Sequence, residues 1–248
     1  MIDNAAIRSI EECGFNAWPA KTTVLSGGWL LRLHDGYTKR ANSANAWSPG
    51  PDFEAVRRDA ETLYRRHGLP VVFRLTPLAD ASVDELLDHA GYTRVDPTIV
   101  MTKRLDRVVA DPDPMIRLET QASPHWLDGV AEATAIPTAF RLSHHALISN
   151  IQRQTVFATI LAQDAQPIGY GLAVIEGERI GLFELVVHPA WRGRKLGERL
   201  VSALMAWGAA QGAASAYLQV GADNIAACRL YRRIGFSDAY PYHYRVLS

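Results

Sequence analysis

Two glycine pairs recur along this chain at one fixed offset. Gly68 and Gly91 are 23 residues apart, Gly212 and Gly235 are also 23 apart, and the second pair lies 144 residues beyond the first. Gly68 and Gly212 each close a run with helical spacing and precede a β-type segment, residues 71–75 and 216–220. Gly91 and Gly235 close a second helical run and precede an aromatic residue, Tyr92 or Phe236. Glycine suits such stops because it enters the left-handed region without a steric penalty. The same offset sets Trp47 on Trp191, Glu54 on Glu198 and Phe73 on Tyr217. A period of this length points to a diverged duplication; the alternative is two unrelated halves with ordinary glycine turns. In both cases, strands interspersed with helices imply a mixed α/β (α+β) layer fold. Asp111-Pro112-Asp113-Pro114 reads as a stiff polar linker between residues 1–110 and 115–248.

Composition removes several function classes. Apolar residues make up 48% of the chain, enough to bury a proper core and too many for a disordered one. Twenty-six Lys and Arg balance 26 Asp and Glu, on both sides of residue 110. Binders of duplex nucleic acid or anionic membranes carry a basic surplus, so neither is an expected partner. Cys13 and Cys228 lie too far apart in sequence to suggest a disulfide framework, and a cytoplasmic setting is expected. The first 15 residues lack the basic start and apolar run of a signal peptide, and no stretch reaches the roughly 20 apolar residues of a membrane span. Neither CxxC nor HExxH occurs, and His144-His145 is the only close histidine pair, so no metal is expected.

The most informative segment is Val186-Val187-His188-Pro189-Ala190-Trp191-Arg192-Gly193-Arg194-Lys195-Leu196-Gly197-Glu198. It reads as a strand, a loop and the start of a helix whose apolar positions are Leu196, Leu200, Leu204 and Trp207. Three cations fall within four positions at that helix start, where they oppose the helix dipole by roughly 0.3–1 kcal/mol each. They make sense if an anion such as a phosphate sits over the exposed N–H groups. Gly193 and Gly197 would let the backbone approach it; the alternative is a solvated basic turn. A P-loop and a dinucleotide-binding glycine motif are both missing. Further on, Asn224, Ala227 or Cys228, and Tyr231 share one helical face. Asn224 also suits a helix N-cap, and Tyr231 also suits a core aromatic.

The order Val187-x-Pro189-x-x-Arg192-Gly193-x-x-x-Gly197, a strand, then Asn224-x-x-Ala227-x-x-Leu230-Tyr231-x-x-x-Gly235-Phe236 resembles the GNAT superfamily of acetyl-CoA-dependent N-acetyltransferases. The likeness covers roughly residues 115–248. It implies a central mixed β-sheet flanked by helices, with residues 1–110 as a degenerate GNAT-like domain in tandem. It implies that the backbone of Leu185, Val186 and Val187 binds the pantetheine arm. The loop Arg192, Gly193, Arg194, Lys195, Leu196 and Gly197 would hold the pyrophosphate, with Asn224 and Ala227 touching the coenzyme from the other side. Tyr231 would be the general acid beside the sulfur. One departure stands out: Lys195 occupies a position where the family usually has glycine, which bears on affinity and acyl-chain preference.

A base is also needed, because an alkylammonium has a pKa near 10 and cannot attack until it loses a proton. Glu184 is the candidate, since it interrupts the apolar run Leu182-Phe183-Glu184-Leu185-Val186-Val187, where an unpaired buried carboxylate would be costly. The alternative is a carboxylate on a solvated strand face or in a structural ion pair. Direct attack needs no covalent intermediate, so Cys228 reads as a packing residue. At the 144-residue offset the basic loop falls on Ser48–Phe53, which has no cation, and Tyr231 falls on Leu87. The segment 37–43, rich in hydrogen-bonding groups, reads as a surface turn or a surface facing substrate. The expectation is acetyl transfer to a primary amine of a small molecule or peptide, by a monomer or homodimer. The rivals are a longer acyl-CoA, a hydroxyl acceptor, or a non-catalytic acyl-CoA sensor.

Overall fold

The computed structural model describes residues 2–50, 52–105 and 113–247. Residues 111 and 112 of the expected linker lie outside them. In the first part of the chain the elements are α1 (Asn4–Ala17), β1 (Thr22–Ser26), β2 (Trp29–Leu33), β3 (Ala44–Ala46), α2 (Phe53–Arg66), β4 (Val71–Leu75), α3 (Ser82–His89) and β5 (Thr93–Arg104). There follow β6 (Ile116–Glu119), α4 (Pro124–Ala133), α5 (Thr138–Ser149), β7 (Gln154–Leu161), β8 (Pro167–Glu176), β9 (Arg179–Val187), α6 (Leu196–Ala210), β10 (Ser215–Gly221), α7 (Ile225–Arg233) and β11 (Ser237–Leu247). Among the described residues no helix is long and apolar enough to cross a membrane.

The helix stops expected at the paired glycines are built by the same hydrogen bonds. Leu69 N–H donates to the Tyr64 carbonyl across Gly68, and Ala213 N–H donates to the Gly208 carbonyl across Gly212. Tyr92 N–H donates to Leu87 across Gly91, and Phe236 N–H to Tyr231 across Gly235. All four glycines have positive φ, from +65° to +94°. Each stop satisfies a helix carbonyl that has no partner in the helix itself. At the offset of 144, α2, β4, α3 and β5 fall on α6, β10, α7 and β11 to within a residue at each start.

The chain divides into two compact units that do not follow a cut near residue 110. One comprises Met1–Val100, Val220–Ile225 and Asp238–Ser248; the other comprises Met101–Gln219 and Ala226–Ser237. The residue-110 boundary therefore separates the repeats but not the units. In the first unit the strand order β1-β2-β3-β4 continues to β11, which lies antiparallel to β4 with Tyr244 beside Arg74. The last strand thus joins the sheet formed by the first four, with β5 on its other side. In the second unit the order is β10-β9-β8-β7-β6, and Leu105, just past β5, donates its N–H to Ala214. Strand pairing is mixed in each unit: β3 runs parallel to β4, and β9 runs parallel to β10.

The first core gathers Trp29, Phe53, Phe73 and Tyr92 in tilted and edge-on ring contacts, with centroids 5.4–5.7 Å apart. Edge-to-face rings add roughly 0.5–1.5 kcal/mol each beyond their buried area. In the second unit Leu196, Leu200 and Leu204 turn inward from α6 as their spacing requires. Trp207 is half-buried instead, and the neighbouring Gly208 meets the sheet, where an added Cβ would lie 2.5 Å from Ile180.

Strand register revises one part of the repeat. Ala44 and Asn45 sit beside Phe73 and Arg74, while Gly181 and Leu182 sit beside Tyr217 and Leu218. Phe73 still answers to Tyr217, but the preceding strands are related by an offset seven shorter than 144. Trp47 therefore answers to Glu184, not to Trp191. The connection into the helix is seven residues shorter in the first unit, so Ser48–Phe53 and the basic loop do not match residue for residue over their whole length.

Candidate active site

Beyond Phe183, β9 leaves regular pairing. Leu172 of β8 faces Phe183, yet Tyr170 faces Val186, so Glu184 and Leu185 together oppose Gly171. This is a β-bulge. Glu184 takes the extra turn at φ +50°, a left-handed conformation that costs a residue with a side chain about 1–2 kcal/mol. At Gly171 a Cβ would meet Leu204 at 3.0 Å and Leu185 at 3.2 Å, so the opposing position has little room for one. The parallel pairing of β9 with β10 ends at Leu182 and Leu218. The backbone of Leu185, Val186 and Val187 runs on past that end, where main-chain groups suit an extended, amide-bearing ligand. The Val187 carbonyl already accepts from Arg192 Nε at 3.2 Å.

The Glu184 carboxylate is 10% exposed and turns toward α5, with its Oε1 3.8 Å from His144 Nε2. His144 is wholly buried. Burial, helped by His145, lowers its pKa to about 4, so Glu184 faces a neutral imidazole at pH 7. Sequence reasoning missed this partner. The adjacent histidines were visible, but only the packing of α5 shows that the first of them turns inward.

The loop after β9 makes one tight turn over Pro189–Trp191, and the Arg194 guanidinium lies 4.7 Å over the Trp191 ring. Gly193 has φ +77°, and Lys195, immediately before α6, has φ +59°. That value explains why glycine is favoured at the Lys195 position. Three helices here start on a side-chain cap, with Asp3 accepting from Ala6 N–H, Asp52 from Ala55 and Ser123 from Trp126, whereas α3 and α5 start without one. At the start of α6, Lys195 makes no side-chain cap bond. The first N–H groups of α6 thus lack a side-chain cap and follow directly on the exposed Arg192, Arg194 and Lys195. Leu196 packs into the core, so only its backbone is available to a ligand.

From the other side, α7 rests on the first turn of α6. A Cβ on Gly197 would lie 3.5 Å from Leu230, and Arg233 pairs with Glu198 at 2.9 Å. Tyr231 is buried against Phe236, with ring centroids 6.0 Å apart. Burial and the neighbouring Cys228 push its hydroxyl pKa up to about 12, so it holds its proton. Cys228 is buried, as a packing residue would be, and Ala227 is half-buried. Asn224 precedes α7 and donates its N–H to Gly221 across a turn; this segment belongs to the first unit. In the segment 37–43, Asn42 is buried and its amide bonds His34, Gly36 and Thr38, which closes the turn internally.

Comparison with known proteins identifies the family. A family model described as "Probable histone acetyltransferase Rv0428c C-terminal" matches residues 4–245. A Bacillus subtilis (strain 168) protein described as the uncharacterized N-acetyltransferase YobR is 30% identical over 246 residues, covering 97% of this chain and 98% of that one. Among solved structures, a GCN5-related N-acetyltransferase from Kribbella flavida superposes with a TM-score of 0.71 at 18% identity, covering 99% of this chain and 96% of that one. A tandem GNAT protein from the clavulanic acid biosynthesis pathway gives 0.65 at 17% identity, covering 94% and 86%.

Proposed function

The chain belongs to the GNAT-type N-acetyltransferases, and from that premise we propose that its second unit moves an acetyl group from acetyl-CoA to a primary amine of a small molecule or peptide by direct attack. The observation that carries this reading is Glu184 in its strained bulge, one strand-length before an uncapped, cation-flanked helix start. The residues fit the coenzyme. The α6 N–H groups with Arg192, Arg194 and Lys195 suit a pyrophosphate, and the β9 backbone at Leu185–Val187 suits an amide-bearing arm. Acetyl-CoA supplies an acyl group activated as a thioester. Glu184 takes the proton from the incoming alkylammonium and frees its lone pair; as the new N–C bond forms and the C–S bond breaks, Tyr231 delivers its proton to the departing sulfur and regains one from the second proton that the nitrogen sheds on becoming an amide. A positioned acid or base typically contributes 10²–10⁴-fold. The first unit, which lacks both loop and bulge, is a degenerate GNAT-like domain in this reading.

The test has two arms. Acetyl-CoA should raise the melting temperature by mass action, and no shift at millimolar ligand removes the proposal. Thiol release measured across amines, amino acids and peptides then identifies the acceptor class. Binding without release for any of them would favour an acyl-CoA sensor.

A further inference from the structure

Acetylating an alkylammonium yields a neutral amide and a neutral thiol, so each turnover sets one proton free. Glu184, which rests here on its reading as the base, has a side chain only 10% exposed and must pass that proton on. We infer that His144, His145 and Asp128 form its exit path to solvent.

The three groups lie in sequence from the bulge outward. His144 Nε2 is 3.8 Å from Glu184 Oε1, the His144 and His145 rings are edge-on with centroids 5.6 Å apart, and His145 Nε2 is 3.7 Å from Asp128 Oδ1. Exposure rises along the path: the His144 side chain is 0% exposed, His145 24% and Asp128 64%. The two nitrogen–oxygen gaps exceed a direct hydrogen bond by less than 1 Å, which a small side-chain rotation closes. Imidazole is the side chain that accepts a proton on one nitrogen and releases another from the second. A space-filling role would be served by leucine or phenylalanine without the cost of burying a polar ring. Low basicity at His144 keeps it from storing the proton it receives. Among the described residues the titratable groups that face the path include Glu184 from β9, His145 from α5 and Asp128 from α4, with Glu132 of α4 beside Tyr170 of β8.

Two measurements test this, one without any substrate. Nitrogen-15 spectra of the imidazoles in the ligand-free protein should show an inflection in His144 from Glu184 ionisation, abolished in Glu184→Gln, and one in His145 from Asp128, abolished in Asp128→Asn. With acetyl-CoA and n-butylamine as probes, His144→Ala should lower kcat about 10- to 100-fold with the KM for acetyl-CoA unchanged, and added imidazole should restore several-fold. Full activity of His144→Ala overturns the path, as does a loss that imidazole fails to restore. If His144→Ala does not fold, the spectra decide: titration curves of both rings that ignore Glu184→Gln and Asp128→Asn overturn it. Wild-type turnover in Glu184→Gln sinks the base assignment itself, whereas an inactive Glu184→Gln beside a fully active His144→Ala sinks only the exit path.

Discussion

The two units use their charged groups in opposite ways. In the first, the charges are turned inward: Glu11 accepts two bonds from Arg74 and one from Tyr240, and Arg74 lies 3.8 Å over the Tyr242 ring, all buried. Arg32 is likewise buried, donating to the carbonyls of Phe15, Trp18 and Arg40. In the second, Arg192, Arg194 and Lys195 stand exposed at a helix start, where they oppose the dipole. Seven residues separate these outcomes. Where the first unit runs from β3 almost directly into α2, the second continues β9 through a bulge and a left-handed turn. The repeat kept the scaffold in both copies and a strained, solvent-facing loop in one. Buried charge pairs hold a fold together, whereas exposed cations and strain are what a ligand can use.

Removing one member of the buried cluster should have the largest effect. Glu11→Ala leaves Arg74 unpaired in the core and should cost about 3–5 kcal/mol of stability, read by denaturant unfolding; a loss below 1 kcal/mol would mean water already reaches the pair. Next comes Tyr231→Phe, which gives the second unit an apolar residue where the first has Leu87. Turnover should fall about 100-fold with coenzyme affinity retained. Because burial holds the Tyr231 proton to about pH 12, the wild-type rate should not decline on the alkaline side up to pH 10, and a falling limb at pH 8–9 would point to another acid. A double Arg192→Ala, Arg194→Ala change should weaken CoA by about 10-fold while leaving a phosphate-free pantetheine unchanged, since each cation contributes up to about 1 kcal/mol. Equal losses for both ligands would show that the loop does not read phosphate. The smallest effect belongs to Lys195→Gly, which relieves a left-handed side chain and should stabilise the protein by about 0.5–1 kcal/mol. An unchanged melting temperature would place that strain elsewhere.

Much of the fold after each loop was legible from local chemistry. Helix ends at Gly68, Gly91, Gly212 and Gly235, the inward leucines of α6 and the loop–helix motif each depend on residues within a turn or two of one another. Glu184 was legible for a similar reason, as a carboxylate inside an apolar run. Its bulge was not, because a bulge is a mismatch between two strands and neither strand shows it alone. The pairing of Trp47 with Trp191 failed for the same reason: an offset counted along the chain cannot detect a connection seven residues shorter until strand register exposes it.

By itself, the sequence determined that this chain carries a repeated strand–helix scaffold and one basic loop before a helix, because helix stops, caps and apolar spacing act locally. Tertiary structure alone decided that β11 pairs with β4, that His144 faces Glu184, and that Glu184 and Lys195 sit in left-handed backbone. Those depend on which backbone edges meet across long stretches of chain. A strand edge offers the same N–H and C=O groups whatever its side chains, so only packing selects its partner.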